Sequence, residues 1–309
     1  MKIFDNNHKK NPEAICAARF ETPHHIASSQ SYLPEKTNLP QMLVYAVFGD
    51  PVEHSLSPAM QNAAFSALGL SARYLALRVR RERLRDAILG AEAMGFGGLN
   101  LTIPLKEAAL EVVVPDENAA AMGAVNTVAF GEGSIRGYNT DGLGALLALE
   151  GAGVRVDGRR VLVIGAGGGA KAIARQLALS GAEVAIANRD RQRALDLAAA
   201  VGGKGYGLSD LEGLVPEAEV VVNATSVGMK AGDPRLVDGR LFREGQTVFD
   251  IIYNRETELL QDAARAGARI IDGVPMLVMQ GALSIEIWTG RKAPVDVMED
   301  AVREELRNR

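Results

Sequence analysis

The stretch from Val161 to Leu179 limits the folds open to this chain more than any other. The apolar run Val161-Leu162-Val163-Ile164 meets Gly165-Ala166-Gly167-Gly168-Gly169-Ala170, and a helix-forming run follows through Lys171–Leu179. A strand, a glycine turn and a helix in that order open a parallel βαβ unit. Gly165 permits the tight turn, Gly167 lets the backbone approach a pyrophosphate, and Ala170 is small where helix and strand pack closely. The N–H groups that start the helix then face the phosphates. Gly165, Ala166, Gly167, Gly168 and Gly169 are therefore candidate cofactor-binding residues. The plainer alternative is a structural turn without a ligand, and the flanking strand and helix argue against it.

The same alternation continues through Glu183–Ala187, Glu219–Asn223 and Thr247–Ile252, which predicts a parallel sheet covered by helices. Before it, strands are expected over Leu43–Phe48, Tyr74–Val79, Gly98–Ile103, Thr127–Phe130 and Ser134–Tyr138. Helices are expected from Ser57-Pro58, with Ser57 as N-cap, and around Glu82–Met94. The segment Met276–Arg309 reads as helical and is expected to pack back on the first unit. The fold class is thus α/β, an N-terminal α/β substrate domain plus a Rossmann-type doubly wound dinucleotide-binding domain, with a cleft between them. The expected units are 43–144, completed by helices in 277–309, and 145–276. Residues 1–42 read as a disordered extension; a metal-binding or regulatory arm is the sharper alternative. Met42 stands directly before the first strand, so translation starting there, or a dispensable prefix, is a further expectation.

The end of the second Rossmann strand selects the cofactor. It reads Asn188-Arg189-Asp190-Arg191, about 20 residues after Gly165, where an NAD site carries an acid for the ribose hydroxyl. A guanidinium there pairs with a 2'-phosphate, which favours NADP. Asp190 would oppose that phosphate unless turned away, and Arg189 could be only a solvated charge at a helix start.

Composition excludes several classes. The net charge of -4 comes with no long basic run, so nucleic acid and anionic membranes are not expected partners. A single cysteine, Cys16, allows no internal disulfide and no multi-cysteine metal site. His54 is the only histidine besides His8, His24 and His25 of the prefix, so no metal is called for and no serine–histidine–acid triad is arguable. No apolar stretch approaches the roughly 20 residues that span a bilayer. A cytoplasmic enzyme acting on small molecules is expected.

Four polar segments interrupt the first unit: His54-Ser55-Leu56-Ser57-Pro58, Asn100-Leu101-Thr102, Gly123-Ala124-Val125-Asn126-Thr127 and Asn139-Thr140-Asp141-Gly142. Each alone has a structural explanation, as a cap or a turn. Together, on strand ends and helix starts, they describe a pocket for a small polyhydroxylated acid. Lys106, which closes Asn100–Lys106, and Asp141 are candidate catalytic residues. An amine, a carboxylate partner and a dinucleotide turn point to hydride transfer at an alcohol carbon. A free lysine holds its proton to about pH 10.4, so it can donate one to a ketone being reduced.

These motifs, with Tyr45–Pro51, Asn223-Ala224-Thr225-Ser226-Val227-Gly228-Met229 and Asp272–Gln280, resemble the shikimate dehydrogenase family over essentially residues 43–305. The resemblance implies NADP-linked interconversion of 3-dehydroshikimate and shikimate, in chorismate and aromatic amino-acid biosynthesis. It implies that Ser55 and Ser57, helped by Tyr253, hold the substrate carboxylate. It implies that Thr102, Asn126, Asp141 and Gln280 hold ring hydroxyls and that Lys106 is the acid/base. It places Asn188, Arg189 and Arg193 around the adenosine phosphate, and Thr225, Ile251, Gly273 and Met276 near the nicotinamide. Oligomeric state is expected to be monomer or homodimer. The neighbouring alternatives are a quinate/shikimate dehydrogenase using NAD and a non-catalytic dinucleotide-sensing protein on the same fold.

Overall fold

The computed structural model describes residues 42–131 and 133–309. The extension expected before Met42, with Cys16 and three histidines, lies outside the described residues. In chain order the elements are β1 (Leu43–Gly49), α1 (Ser57–Ala67), β2 (Ala72–Arg78), α2 (Leu84–Ala93), β3 (Gly98–Leu101), β4 (Val114–Pro115), α3 (Glu117–Met122), β5 (Thr127–Gly131), β6 (Ser134–Tyr138) and α4 (Asp141–Gly151). They continue with β7 (Arg160–Ile164), α5 (Gly168–Leu179), β8 (Glu183–Asn188), α6 (Arg191–Val201), β9 (Lys204–Gly207), α7 (Leu211–Glu217), β10 (Val220–Asn223), β11 (Thr247–Asp250), α8 (Glu258–Arg265), β12 (Arg269–Ile271), α9 (Val274–Thr289) and α10 (Val295–Arg307).

Two six-stranded sheets form, ordered β2-β1-β3-β5-β6-β4 and β12-β11-β10-β7-β8-β9. In the first, β1 runs parallel to both β2 and β3, whereas β5 is antiparallel to β3 and to β6. β1 carries the consecutive buried run Tyr45–Phe48, the signature of a parallel strand covered on both faces. One covering layer comes from the far end of the chain. Val274, Val278, Ala282 and Ile285 of α9, with Met298 and Val302 of α10, share a core with Tyr45, Met60, Phe65 and Tyr74. The C-terminal segment thus returns to the first sheet, as expected. Trp288 locks the return: its indole N–H donates to the Val128 carbonyl at 2.9 Å, and its ring lies 5.0 Å from that of Tyr45.

The second sheet is parallel throughout. The chain builds outward from β7 to β9, then starts again at β10 beside β7 and builds the other way. The loops after β7 and β10 therefore diverge, the place where open parallel sheets bind ligands.

Helix α4 connects the two sheets, and its glycines explain how closely. A Cβ on Gly142 would lie 2.5 Å from the Ala172 carbonyl oxygen of α5, and one on Gly144 would lie 2.9 Å from the Gln280 nitrogen of α9. Only a bare backbone lets α4 lean on both helices at once.

Several local expectations need correction. Ser57 does not cap α1; Leu56 holds the cap position with no side-chain bond, and the Ser57 N–H donates to Ser55 Oγ at 3.2 Å. α5 starts at Gly168 rather than Lys171, so the glycines themselves form its first turn. The expected helix 82–94 is shorter, a 3-10 turn over Arg81–Arg83 followed by α2. The elements β4, α3, β9 and β12, two to six residues long, are too short for a helix or strand period to stand out in sequence.

Candidate functional site

Lys106 is delivered by a loop that the core pins on both sides. Leu105 is fully buried, and the Lys106 carbonyl accepts from the Val125 N–H at 2.8 Å. Thr102 sits at the carboxyl end of β3, where its N–H donates to the Phe48 carbonyl at 2.8 Å. Glycine at 49 makes room for it, since a Cβ there would collide with Thr102 Cγ2.

Asp141 opens α4. Its backbone N–H donates to Asn139 Oδ1 at 3.0 Å, and Asn139 Nδ2 donates to the Ala124 carbonyl at 3.0 Å. This turn aims the carboxylate at the lysine: Lys106 Nζ donates to Asp141 Oδ2 at 2.5 Å. Lys106 keeps 21% of its side chain exposed and Asp141 only 7%, so the amine is the member open to a reactant. Asn126 Nδ2 occupies the second carboxylate oxygen at 2.7 Å. The carboxylate also lies in the first turn of a helix, where the dipole favours negative charge.

A buried polar network lies behind this trio. Tyr74 OH donates to Asn100 Oδ1 at 2.7 Å, and Asn100 Nδ2 reaches Thr127 Oγ1 at 3.1 Å and Ser284 Oγ at 2.9 Å. Thr127 Oγ1 donates to Asn126 Oδ1 at 2.9 Å. Burial pushes the Tyr74 phenol well above its usual range, and the Ser57 hydroxyl bonded to it acts in the opposite sense. Ser57 and Ser55 thus stand at the start of α1 beside this network. Gln280 faces α4 from α9, its Nε2 donating to the Leu277 carbonyl at 2.7 Å. Tyr253 packs against the core that holds Val274 and Val278, and burial raises its phenol above the ordinary value.

The second constellation is built around the loop after β7. Gly165 has φ +124°, and a Cβ on it would lie 2.8 Å from the Ala224 carbonyl oxygen and 3.2 Å from Thr225 Cγ2. Neither backbone conformation nor space admits a side chain. At Gly167 and Gly168 an added Cβ meets nothing within 4 Å, so there is open space beside the first turn of α5, whose N–H groups have no partner within the helix. That is the cradle a dinucleotide pyrophosphate needs. Gly169 lies against Ile251, and Gly273 packs so closely on the Ile251 carbonyl that a Cβ would collide with it. Met276 is buried in the core beneath, together with Ala166 and Ile173.

Thr225 is held by two bonds to Asn223 Oδ1, from its N–H at 3.0 Å and its hydroxyl at 2.7 Å. Asn223 in turn donates to Asp250 Oδ1 at 3.0 Å. Burial raises the Asp250 carboxyl above its usual range, while donors from Thr257, Ile252 and Asn223 oppose that rise.

Asp190 resolves the ambiguity at the end of β8. Its carboxylate caps α6, accepting from the N–H of Gln192 at 3.0 Å and of Arg193 at 3.4 Å. It is therefore turned into the helix. The Arg193 guanidinium donates to the Ala166 carbonyl at 3.1 Å, and Asn188 Nδ2 donates to the Asp190 carbonyl at 3.0 Å. Arg189 is exposed directly after the strand.

The two constellations are neighbours. Lys171 in the first turns of α5 pairs with Glu107, the residue after Lys106, at 3.1 Å. Sequence reasoning missed Tyr74, Ser284 and Asp250 as parts of the site, and it gave Thr127 and Thr140 only as members of their polar segments. The available signal was polar residues inside buried strands, as with Asn100 in β3 and Asn223 in β10. Among the described residues no group of three or more His, Cys, Asp or Glu could hold a metal ion, and no helix is long and apolar enough to cross a membrane.

Comparison with known proteins agrees in every segment. Residues 47–128 match the shikimate dehydrogenase substrate binding domain, 147–261 the shikimate / quinate 5-dehydrogenase family, and 273–303 the shikimate 5'-dehydrogenase C-terminal domain. A shikimate dehydrogenase (NADP(+)) of Methanothrix thermoacetophila is 63% identical over 265 residues, covering 86% of this chain and 98% of that protein. The crystal structure of shikimate 5-dehydrogenase from Thermus thermophilus in complex with NADP(H) and shikimate superposes with a TM-score of 0.80 at 40% identity, covering 85% of this chain and 99% of that one. A crystal structure of a shikimate dehydrogenase in complex with NADP+ gives 0.82 at 38% identity, over 86% and 96%.

Proposed function

This chain belongs to the shikimate dehydrogenase family, and from that premise we propose how its residues divide the work of the reaction. The protein is an NADP-dependent oxidoreductase that interconverts 3-dehydroshikimate and shikimate in the shikimate pathway of aromatic amino-acid biosynthesis. In our reading residues 43–144, completed by 277–309, form the substrate unit, and residues 145–276 hold the dinucleotide. The cytoplasm is the compartment, the partners are small molecules, and the protein acts as a monomer or homodimer.

Ser55 and Ser57 at the start of α1, with Tyr253 opposite, receive the substrate carboxylate. Thr102, Asn126, Asp141 and Gln280 surround the ring hydroxyls. Gly165, Ala166, Gly167, Gly168 and Gly169 cradle the pyrophosphate; Asn188, Arg189 and Arg193 meet the adenosine 2'-phosphate. Thr225, Ile251, Gly273 and Met276 border the nicotinamide, which supplies the hydride when NADPH is bound. Lys106 passes a proton from Nζ to the carbonyl oxygen as charge develops there. Asp141 orients that ammonium through Oδ2 and, in the reverse direction, stabilises the lysine as it takes the proton back.

The single observation carrying this reading is the 2.5 Å contact between Lys106 Nζ and Asp141 Oδ2 in the unit adjoining the glycine turn. The test is an activity matrix, with purified protein given shikimate or quinate together with NADP or NAD and reduced cofactor followed at 340 nm. Turnover with shikimate and NADP well above the other three combinations is expected. Preference for quinate with NAD, or no turnover with any pair, would overturn it.

A further inference from the structure

We infer that Thr127 is a positioning residue for the acid/base pair: its hydroxyl, which accepts from Asn100, fixes the Asn126 carboxamide so that its NH2 faces Asp141. The inference rests on the Lys106–Asp141 reading above and extends it to a residue that touches neither substrate nor cofactor there.

A carboxamide can sit in two orientations of nearly equal shape, and only its hydrogen-bond partners choose between them. At Asn126 one partner is unambiguous. The Thr140 backbone N–H can only donate, and it lies 2.9 Å from Oδ1. The Thr127 hydroxyl is a second donor to the same oxygen at 2.9 Å. The amino group must then point the other way, toward Asp141 Oδ1 at 2.7 Å and Thr140 Oγ1 at 3.0 Å. With Oδ1 taken by Asn126, Asp141 presents Oδ2 to Lys106.

Thr127 has a single hydroxyl hydrogen, and giving it to Asn126 leaves Oγ1 free to accept from a donor. Asn100 Nδ2 is that donor at 3.1 Å; Ser284 Oγ lies 2.9 Å away, but its one hydrogen also has the Gln280 carbonyl as acceptor at 3.0 Å. Donors thus run in one sense from Asn100 through Thr127 to Asn126, and end on the Asp141 carboxylate. Thr127 and Ser284 are fully buried, so water cannot replace a missing hydroxyl without a rearrangement. A flipped Asn126 would set its carbonyl oxygen against the carboxylate and release Oδ1, leaving the lysine without a fixed partner.

The test compares Thr127→Val, which keeps the shape and loses the hydroxyl, with Thr127→Ser, which keeps the hydroxyl. Shikimate oxidation with NADP is measured first on the unsubstituted protein; absence of turnover there counts against the functional reading, not against this inference. Thr127→Val is expected to lower kcat about tenfold, the scale of one buried hydrogen bond, with KM for shikimate changed less than about twofold. Thr127→Ser is expected to restore most of kcat. In a Lys106→Ala background Thr127→Val should lower kcat no further, because it acts through the pair. Multiplicative losses in that cycle, or a fall confined to KM, would overturn the inference. Independently of activity, NMR should show the Asn126 side-chain amide hydrogens exchanging about tenfold faster in Thr127→Val than in the unsubstituted protein or Thr127→Ser. Equal exchange rates in all three would also overturn it. Thermal unfolding of each variant identifies any that simply fails to fold.

Discussion

The Asp190 carboxylate accepts from the Gln192 N–H at 3.0 Å, so the acid that follows Arg189 in sequence serves the helix behind it. In an NAD site the acid at this strand end faces the ribose. Here it completes an N-cap, and the surface beyond β8 is left to arginine. Cofactor choice should therefore separate cleanly between the two residues. Arg189→Ala is expected to weaken NADP relative to NAD by about 10- to 100-fold in kcat/KM, the worth of a charge-assisted phosphate contact. Asp190→Asn keeps a capping oxygen and should change that ratio less than about threefold. A large change in Asp190→Asn with none in Arg189→Ala would reverse the assignment.

Removing the proton donor should strike turnover before binding. Lys106→Ala is expected to lower kcat by about 10²–10⁴, with a much smaller effect on the KM for shikimate. Asp141→Asn should raise KM as well as lower kcat if, as proposed, this carboxylate meets a ring hydroxyl in addition to orienting the amine. Steady-state kinetics in both directions checks the contrast; wild-type turnover in Lys106→Ala would remove it from the chemistry.

Two glycine substitutions should have opposite signs. Gly90 lies inside α2 with nothing within 4 Å of an added Cβ, and Gly90→Ala should stabilise the protein by about 0.5–1 kcal/mol. Gly142→Ala puts its methyl 2.5 Å from the Ala172 carbonyl oxygen and should destabilise by about 1–3 kcal/mol. Since Asp141 is the preceding residue, Gly142→Ala should also lower kcat even where the protein remains folded. Urea unfolding monitored by circular dichroism, with kinetics below the transition, measures both effects.

Tyrosine ionisation should be delayed. Burial pushes Tyr45 from 10.0 up to about 12 and raises Tyr74, Tyr138 and Tyr253 as well. The native state thus favours the neutral phenols. Their contribution to stability is complete below the unfolded value near 10 and is lost as pH rises through the folded values, about 12 for Tyr45. Absorbance at 295 nm should show these groups titrating late and together with the loss of tertiary structure. Early, independent titration of every tyrosine near pH 10 would contradict the burial.

What could be read in advance followed from local patterns. The β7–Gly165–α5 unit announces itself because strand, turn and helix signals are adjacent, and the apolar face of Met276–Leu283 marks the helix that returns to the first sheet. The edge strands β4 and β9 were opaque for equally local reasons: β4 is Val114-Pro115, and β9 holds two glycines among four residues. Ser57 before Pro58 carries the composition of an N-cap, but Leu56 holds the cap position and Ser55 takes the Ser57 N–H. Asp190 was undecidable in sequence because a cap and a repelling charge are spelled by the same residue; its backbone, at ψ 103°, makes it a cap. The Asn126 orientation depends on Thr140 and Thr127, and no spacing rule encodes a three-residue hydrogen-bond choice.

The seating of α9 against β1 sets an order of events at synthesis. Ser284 meets Asn100 across 184 positions of chain, and Trp288 closes on Val128 across 160. A ribosome that has finished the first sheet has therefore produced strands covered on the α9 flank by α1 alone, and a reaction centre without Ser284 behind it. The nascent protein is expected to stay inactive until the last two helices emerge from the exit tunnel.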